Sequence, residues 1–442
     1  MSKEGNLEAP TRHPLDWKHP DFYDRSKTEA ELARIFDICH GCRRCFNLCN
    51  AFPALFDAAD ATPSGELHDV PKQVQWEVVD QCYLCDMCYM TKCPYTPPHP
   101  FNLDFPHTML RAKAVQFKEG KPRFRDKLLS STDALGKLAS IPVVVQVVNA
   151  VNRNGVTRTL MDKTLGIHRD RVLPTYTSAT FRKQAVSSSD AHPVQDGDRT
   201  PGKVVIYATC YVNYNEPGIG LDLIKVLEHN RIPVRLLDKE ACCGMPKLEL
   251  GDLESVAALK EKNIPLLAEV ARAGYAILTP IPSCTLMYKQ ELPLMFPDDP
   301  DVQAVAQAMY DPFEYLSQRH ADGLLDTRFV QPLGHVSYHV PCHLRVQNIG
   351  LKTRDLLQMV PETTVNTVER CAGHDGTWGV KSEHFKMSMK IGRPVFNRME
   401  EGTPDYVSSD CPIASRHILQ GMKEVHRKEH PISLLRIAYG LK

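Results

Sequence analysis

Cysteine is the residue type that gives this 442-residue chain its chemistry, and the chain contains 15 of them. Eight fall between positions 39 and 93 in two runs, C-x2-C-x2-C-x3-C and C-x2-C-x2-C-x4-C, and Pro94 follows the second. Three thiolates at two-residue spacing can hold three corners of one iron–sulfur cube from a single loop. In two-cluster ferredoxins the fourth cysteine of each run binds the other cluster.

We therefore predict two [4Fe–4S] clusters that exchange their fourth ligands. The first is assigned to Cys39, Cys42, Cys45 and Cys93, and the second to Cys82, Cys85, Cys88 and Cys49. Structural zinc and buried free cysteines are the alternatives. Zinc sites usually combine two C-x2-C pairs, so two triple runs favour the cubes. Arg43, Arg44 and Lys92 lie inside the loops, where solvated surface charge is favoured over tuning of a cluster's potential.

Helices are predicted to lead into both cluster loops. The 32 residues between Cys49 and Cys82 are too many for a compact bacterial ferredoxin repeat. Apolar residues recur at helical spacing over residues 32–39, after a predicted cap at Thr28, and again over residues 74–82. Residues 1–120 are therefore predicted to form an all-helical ferredoxin-type module.

The other seven cysteines form an internal repeat. Cys342, Cys371 and Cys411 follow Cys210, Cys242 and Cys284 at offsets of 132, 129 and 127 positions. Each of these six comes after a short β-branched or aromatic stretch typical of a strand, and helical patterns lie between the strands. Alternating strands and helices indicate a parallel sheet, with the cysteines past the carboxyl ends of strands. We predict two duplicated α/β domains, residues 203–330 and 331–442.

The two copies differ in their thiol count. The first has four cysteines, Cys210, Cys242, Cys243 and Cys284, enough for one further iron–sulfur cluster, with zinc less favoured. In the second, Ala372 stands where Cys243 stands in the first, leaving Cys342, Cys371 and Cys411. This half is expected to hold an incomplete cluster, a mixed-ligand cluster or none. Candidates for a fourth ligand are His339, His343 and His374, although each is more often a polar or packed loop residue.

Composition limits the remaining possibilities. Lysine plus arginine and aspartate plus glutamate number 53 each, which argues against a nucleic-acid partner. The start of the chain has no apolar stretch, and the most apolar run, residues 141–148, is too short to span a bilayer. A soluble cytoplasmic protein is expected. Because the cysteine number is odd and no export signal is found, a disulfide framework is not expected.

A connector is predicted over residues 121–202. It contains two apolar helical patterns, Leu128–Leu138 and Val143–Val151, and a polar linker over residues 186–202. The apolar patterns are interpreted as packing against the cluster module, with a partner or membrane surface as the alternative. The Gly218-Ile-Gly220 stretch lacks the third glycine of a dinucleotide loop, so a flavin or nicotinamide is expected on a partner.

An eight-cysteine helical module followed by two Cys…Cys-Cys-Gly…Cys domains resembles a family of iron–sulfur subunits. Its members include the D subunit of heterodisulfide reductase, the C subunit of anaerobic glycerol-3-phosphate dehydrogenase and the glycolate oxidase iron–sulfur subunit. The resemblance rests on Cys242-Cys-Gly-Met-Pro246, His339-Val-Pro-Cys-His343, Cys371-Ala-Gly-His-Asp-Gly-Thr-Trp-Gly379, Asp410-Cys411-Pro412 and Glu429-His-Pro-Ile-Ser-Leu-Leu435. It implies a helical two-cluster domain, two α/β halves, and electron passage between a flavoprotein or quinone and the clusters.

The chain departs from the heterodisulfide reductase pattern in both halves. That pattern has five cysteines per motif, but Met287 and Ala414 replace the terminal cysteine and Ala372 another. The function expected is therefore an electron-transfer subunit of an oxidoreductase complex, relaying electrons between a flavoprotein dehydrogenase partner and a quinone or other acceptor. Peripheral attachment to the inner face of the membrane is a further possibility. The alternatives are a disulfide reductase acting at Cys242-Cys243 and a zinc-holding scaffold.

Overall fold

The chain begins with a helical module that ends near residue 120. The computed structural model describes residues 10–91, 93–188, 192–237, 239–424 and 426–442, so Lys92 and part of the predicted linker lie outside the described residues. The helices of the module are α1 (Arg25–Cys42), α2 (Ala51–Asp60), α3 (Lys72–Gln81), α4 (Met87–Thr91) and α5 (Phe105–Lys118). Phe36, Phe52 and Phe105 are buried between them, so both cluster loops are supported by one apolar core.

Helix α1 starts one turn before its predicted cap. The carboxylate of Asp24 accepts the N–H of Lys27 at 2.8 Å and caps the helix. Thr28, the predicted cap, is buried inside the helix, where its hydroxyl donates to the Asp24 carbonyl. The prediction was wrong because the first turn is polar and carries no apolar signal. Helix α3 begins at Lys72, two residues ahead of its pattern.

The connector is helical and runs along the α/β part of the molecule. Its helices are α6 (Phe124–Leu129), α7 (Thr132–Ala139), α8 (Val144–Arg153), α9 (Gly155–Leu165) and α10 (Phe181–Gln184). The pattern over 128–138 is divided at Ser130-Ser131, whose hydroxyls donate to the Lys127 carbonyl. Arg125 makes two hydrogen bonds to Glu383 of the second half, at 2.6 and 3.0 Å. The apolar pattern in α7 packs on residues 210–214 of the first half, whereas packing on the cluster module was expected.

The first half, residues 203–330, contains a four-stranded parallel sheet in the order β2-β1-β3-β4. Its strands are β1 (Val204–Ile206), β2 (Val234–Leu236), β3 (Ala276–Leu278) and β4 (Met309–Tyr310). Its helices are α11 (Cys210–Tyr214), α12 (Pro217–His229), α13 (Met245–Leu250), α14 (Leu253–Arg272), α15 (Pro282–Leu286), α16 (Leu292–Met295), α17 (Pro300–Ala308) and α18 (Pro312–Ala321). The edge strand β4 has only two residues, too few for a sequence pattern.

The second half, residues 331–442, repeats this arrangement with three parallel strands in the order β6-β5-β7. Its strands are β5 (Gly334–His339), β6 (Thr363–Val368) and β7 (Tyr406–Ser409). Its helices are α19 (Cys342–Arg345), α20 (Lys352–Leu357), α21 (Ser382–Glu400), α22 (Pro412–Gly421) and α23 (Pro431–Ala438). The predicted fold class, a helical module followed by two parallel-sheet α/β regions, is confirmed.

Two end segments hold these parts together. Near the start of the chain, the buried Arg12 pairs with Asp86 and Asp104 of the helical module and with Glu291 of the first half. At the other end, α23 crosses back to pack on α12 of the first half, where Arg436 pairs with Asp222 at 3.0 Å.

Within the described residues no single helix is long and apolar enough to cross a membrane. Helices α7 and α8, bent by 111° at their junction, pass that test only as a pair, on length and composition.

Candidate metal centres

Four thiols of the helical module surround one small cavity. Cys39 and Cys42 lie in the last turn of α1 and Cys45 in the loop that follows, while Cys93 comes from the second run after α4. All four line a cavity walled by Phe52, Phe56 and Leu103. Burial raises the pKa of Cys39, and the nearby thiols of Cys45, Cys93 and Cys42 raise it further. The structure thus brings together the four residues predicted for the first cluster.

The other four thiols of the module form a second group. Cys82 ends α3, Cys85 and Cys88 follow it, and Cys49 lies just before α2. Burial raises the pKa of Cys88, as do neighbouring Cys45, Cys85, Cys82 and Cys49 in that order. This group therefore matches the second predicted ligand set, and Cys45 brings it next to the first.

Three basic residues, Arg43, Arg44 and Lys92, were predicted to be surface charges near the cluster loops. Arg43 pairs with Asp60 through a guanidinium–carboxylate bridge on the protein surface, which agrees with a structural use. Arg44 lines the cavity of the first group. Lys92 lies outside the described residues.

The four cysteines of the first half meet at the carboxyl ends of β1, β2 and β3, where parallel α/β sheets bind ligands. Their side chains form a series of contacts from Cys210 to Cys242, from Cys242 to Cys243, and from Cys243 to Cys284. The hydroxyl of Thr132, the first residue of α7, donates to the Cys242 sulfur at 3.3 Å. Hydrogen bonds from Cys210 and Cys243 lower the pKa of Cys242 well below its ordinary value.

A glycine turns the chain after the second cysteine position in both halves. Gly244 has φ +98° and Gly373 has φ +78°, conformations that L side chains rarely adopt. A Cβ on Gly373 would lie 2.4 Å from the Ser388 carbonyl oxygen. The glycine of the repeated motif is therefore required by backbone geometry in both halves.

The three cysteines of the second half, Cys342, Cys371 and Cys411, follow β5, β6 and β7 in the same way. Burial raises the pKa of Cys342, and Cys371 and Cys411 raise it further, so the three thiols lie near one another. Cys371 contacts the Tyr83 hydroxyl at 3.0 Å and accepts the N–H of Gly373 at 3.3 Å. Tyr83 belongs to the helical module, between Cys82 and Cys85, so this group touches the second thiol group of that module.

The three candidate histidines are distinguished by their hydrogen bonds. His339 bonds to Ser409 and to the Arg370 carbonyl. His343 bonds to Ser283 at 2.7 Å and to the Leu84 backbone. Only His374 has a ring nitrogen, Nδ1, that is buried without a partner, and its Nε2 lies 3.9 Å from the Cys411 sulfur. Burial lowers the pKa of His374 to about 3, so the ring is neutral.

All seven cysteines of the two halves line one cavity of about 150 Å³. Separate cysteine sites were expected in the two halves, whereas in the fold the strand ends of both halves face the same cavity. Tyr83, Thr132 and Ser283 also line this cavity. Sequence reasoning missed them because nothing in their own neighbourhoods marks them as close to thiols that lie far along the chain.

The positions that depart from the five-cysteine pattern are buried. Met287, Ala372 and Ala414 are at most 3% exposed, and the Met287 methyl lies close to Gly244. Across the described ranges, no three histidine, cysteine, aspartate or glutamate side chains come close enough together to hold one metal ion. The ligands of an iron–sulfur cluster lie farther apart than those of a single metal ion, because each thiolate binds a different iron. Thiols around a common cavity are compatible with that chemistry.

A helical module with two groups of four thiols, joined to two parallel-sheet halves with cysteines at their strand ends, defines an iron–sulfur electron-transfer protein. The CCG family, described as a cysteine-rich domain, matches residues 204–289 and 336–417. The C subunit of anaerobic glycerol-3-phosphate dehydrogenase from Escherichia coli K12 is 32% identical over 342 residues, 76% of this chain and 82% of that protein. The chain belongs to the same family as that protein.

Two further relatives cover less of the chain. The B subunit of fumarate reductase (CoM/CoB) from Methanothermobacter marburgensis is 27% identical over 52% of this chain and 45% of its own length. Lactate utilization protein A from Bacillus cytotoxicus is 32% identical over 47% of this chain and 87% of its own length. Two of the three names describe subunits of redox enzymes, which agrees with a redox partner for this chain.

Proposed function

We propose that this protein relays electrons through three [4Fe–4S] clusters to an acceptor in the cavity between its α/β halves. Cys39, Cys42, Cys45 and Cys93 hold the first cluster, and Cys49, Cys82, Cys85 and Cys88 the second. Cys210, Cys242, Cys243 and Cys284 hold the third. The remaining thiols, Cys342, Cys371 and Cys411, carry no cluster in this proposal. Bound clusters supply one-electron steps, and the protein tunes them through burial and hydrogen bonds.

The observation that supports this proposal is a continuous series of neighbouring thiols. Cys45 of the first group lies near Cys88 of the second. Cys85 of the second group lies near Cys342 and Cys371 of the second half, and Tyr83 bonds directly to Cys371. The second half shares its cavity with the thiols of the first half. Electrons entering at either end therefore have a short route through the whole molecule.

Two observations support the proposed electron donor and the proposed acceptor. Two relatives are named as subunits of a dehydrogenase and of a reductase, which supports a flavoprotein dehydrogenase as the electron donor. The cavity is lined by apolar groups such as Ile281, Pro282 and Ile413 beside the thiols. A quinone ring is an acceptor of matching chemistry.

An apolar, basic surface on the connector supports attachment at a membrane. The connector patch consists of six exposed side chains: Leu138, Ile141, Val143, Val147, Val156 and Leu160. Residues 121–185 contain 12 lysines and arginines against four aspartates, a net charge of +8, although the whole chain is neutral. Arg125, Arg158 and Arg171 are buried, and the other nine basic residues are at least partly exposed. Exposed apolar residues beside positive charge are the chemistry of binding to an anionic lipid surface. We propose that this patch docks the protein on the cytoplasmic face of the membrane.

Metal analysis and single-turnover oxidation of anaerobically purified protein test the relay. The intact chain should contain about twelve iron atoms, four for each cluster, and the Cys243→Ala variant about eight. Once reduced by a flavoprotein partner or a strong reductant, the intact protein should reduce a soluble quinone, and the variant should do so more slowly by at least tenfold. Unchanged iron in the variant would contradict the third cluster. Rapid reduction of a small disulfide, abolished by Cys242→Ala, would favour the disulfide reductase instead.

A further inference from the structure

A second opening lies against the thiol cavity. It is a polar cleft of about 420 Å³ between the helical module, the connector and the second half. Three residues line both the cleft and the thiol cavity: Tyr83, Glu249 and Asp375. These side chains therefore form the wall between the polar cleft and the thiols.

Two of the three are carboxylates from different halves. Glu249 lies in α13, six residues after Cys243, and Asp375 lies in the loop that follows Cys371. The two loops approach closely, since Glu249 Oε2 lies 3.4 Å from the place where a Cβ on Gly376 would be. Neither carboxylate forms an ion pair with any side chain that the structure describes, and nearby Lys381 is engaged with Asp126 at 3.0 Å.

The surroundings favour the protonated form of both carboxyl groups. Burial raises the pKa of Asp375 to about 7. Burial, and then Asp375, raise the pKa of Glu249 well above its ordinary value. Lys113 of α5, Lys381 before α21, Cys242 before α13 and the backbone of Trp378 also face the pair. Asp375 lies near the thiols of Cys82, Cys342 and Cys371 as well.

The other polar groups of the cavity are not placed to carry protons from the cleft. His339 and His343 each use both ring nitrogens in hydrogen bonds. His374 lines the thiol cavity but not the cleft. The hydroxyl of Tyr83 is bonded to Cys371. The two carboxylates are thus the acid–base groups that reach both sides.

We propose that Glu249 and Asp375 transfer protons from the polar cleft into the thiol cavity when a quinone is reduced there. The clusters deliver two electrons and the carboxyl groups deliver two protons, so that the quinone becomes the quinol. Each carboxylate is reprotonated by water in the cleft, and no other reactant is needed. This inference rests on the proposed relay, because it assumes that the acceptor is reduced inside the cavity.

The first test compares an acceptor that needs protons with one that does not. Glu249→Gln and Asp375→Asn keep the size of each side chain but remove its exchangeable acid proton. Each variant should reduce a soluble short-chain quinone at least tenfold more slowly at pH 7, because positioned acid–base groups contribute about 10² or more. Its reduction of ferricyanide should stay within twofold of wild type. Glu77→Gln, which lines only the cleft, is the matched control and should leave both rates unchanged.

A second measurement is independent of turnover. The reduction potential of the cluster in the first half, followed by EPR in a redox titration, should become more negative as pH rises in wild type. An electron placed near a carboxyl group favours its protonation, and this coupling should weaken in the Glu249→Gln, Asp375→Asn double variant.

The outcomes separate this inference from the relay itself. If the variants reduced quinone and ferricyanide equally slowly, or reduced both at the wild-type rate, the proton path would be overturned while the relay would stand. Wild type that reduces ferricyanide but no quinone would overturn the proposed acceptor, and the proton path with it.

Discussion

At the scale of single residues, the fourth cysteine of each run in the helical module is held by backbone groups of the residues that follow it. Backbone groups of Ala51 and Phe52 hydrogen-bond to Cys49, and those of Tyr95 and Thr96 to Cys93. Both sulfurs are therefore held by the chain that follows them, and the backbone of Leu84 and Met87 holds Cys82 and Cys85 in the same way. Hydrogen bonds of this kind orient a ligand and tune its cluster, so each fourth cysteine is expected to affect the cluster across the loop.

Exchanging Cys93 for serine tests that arrangement. The Cys93→Ser variant should alter the EPR spectrum and potential of the cluster held by Cys39, Cys42 and Cys45, because Cys93 shares their cavity. Cys49→Ser is the reciprocal control and should alter the cluster held by Cys82, Cys85 and Cys88. Spectra in which Cys93→Ser changes only the cluster of Cys82, Cys85 and Cys88 would contradict the exchanged ligands.

The sequence predicted every cysteine of these groups but few of the residues around them. Spacing along the chain is sufficient to predict which thiols come together when they lie only a few residues apart. Thr132 and Cys242 are separated by 110 positions, and Tyr83 and Cys371 by 288. Contacts of that kind depend on how the elements pack, and no local pattern of residue types encodes them. The same is true of the carboxyl pair Glu249 and Asp375.

At the scale of elements, a strand was predicted before each of the six repeated cysteines, and the structure has a strand before each of them. These strands are buried stretches of β-branched and aromatic residues, so residue type alone identifies them. The connector was harder, because the first of its two patterns is apolar without a sharp boundary and is interrupted by Ser130-Ser131. Helix α9 was missed, since its exposed valine and leucine leave no apolar stripe of the usual kind. Domain boundaries remain predictions.

One carboxylate joins elements of the two halves. Glu216 precedes α12 and pairs with Arg416 of α22 at 2.7 Å and with Lys428 at 2.6 Å. Burial alone would raise the pKa of Glu216, but Lys428 and Arg416 lower it below its usual 4.5. The stabilisation is therefore complete above about pH 4.5 and is lost as the pH falls through the lowered value.

The Glu216→Gln variant should unfold more easily at neutral pH. We expect a loss of about 2 kcal/mol, typical of hydrogen bonds to charged groups. The difference from wild type should be constant from pH 8 to pH 5 and should shrink below pH 4.5. Thermal unfolding at a series of pH values measures it. A constant difference down to the lowest pH would mean that the carboxylate charge plays no part.

At the scale of the whole molecule, the parts are not arranged in the order of the chain. The helical module contacts the second half through Tyr83 and Trp378, whose indole N–H donates to the Asp80 carbonyl at 3.2 Å. Among the seven thiols of the two halves, those of the second half therefore lie nearest to the thiols of the module. In the proposed relay, this places the half with one cysteine fewer on the route of the electrons. Its three thiols and Tyr83 still form the contact between the module and the cavity.

The connector patch also acts at the scale of the whole molecule, since it would fix how the relay faces a membrane. Val147 is 58% exposed in α8, and Arg153 at the end of that helix is exposed as well. The Val147→Asp variant should bind vesicles containing anionic phospholipid about tenfold more weakly, because it removes about 1.5 kcal/mol of apolar burial and adds a repelled charge.

Flotation with such vesicles measures the binding, and raising the salt concentration should weaken it in wild type. Val330→Asp is the matched control, because Val330 is 69% exposed but lies outside the patch; its binding should equal that of wild type. If Val147→Asp bound as tightly as wild type, or if uncharged vesicles bound as well as anionic ones, the connector would not be a lipid-binding surface. Its exposed side chains would then face a protein, and the flavoprotein donor would be the first partner to examine by cross-linking at α8.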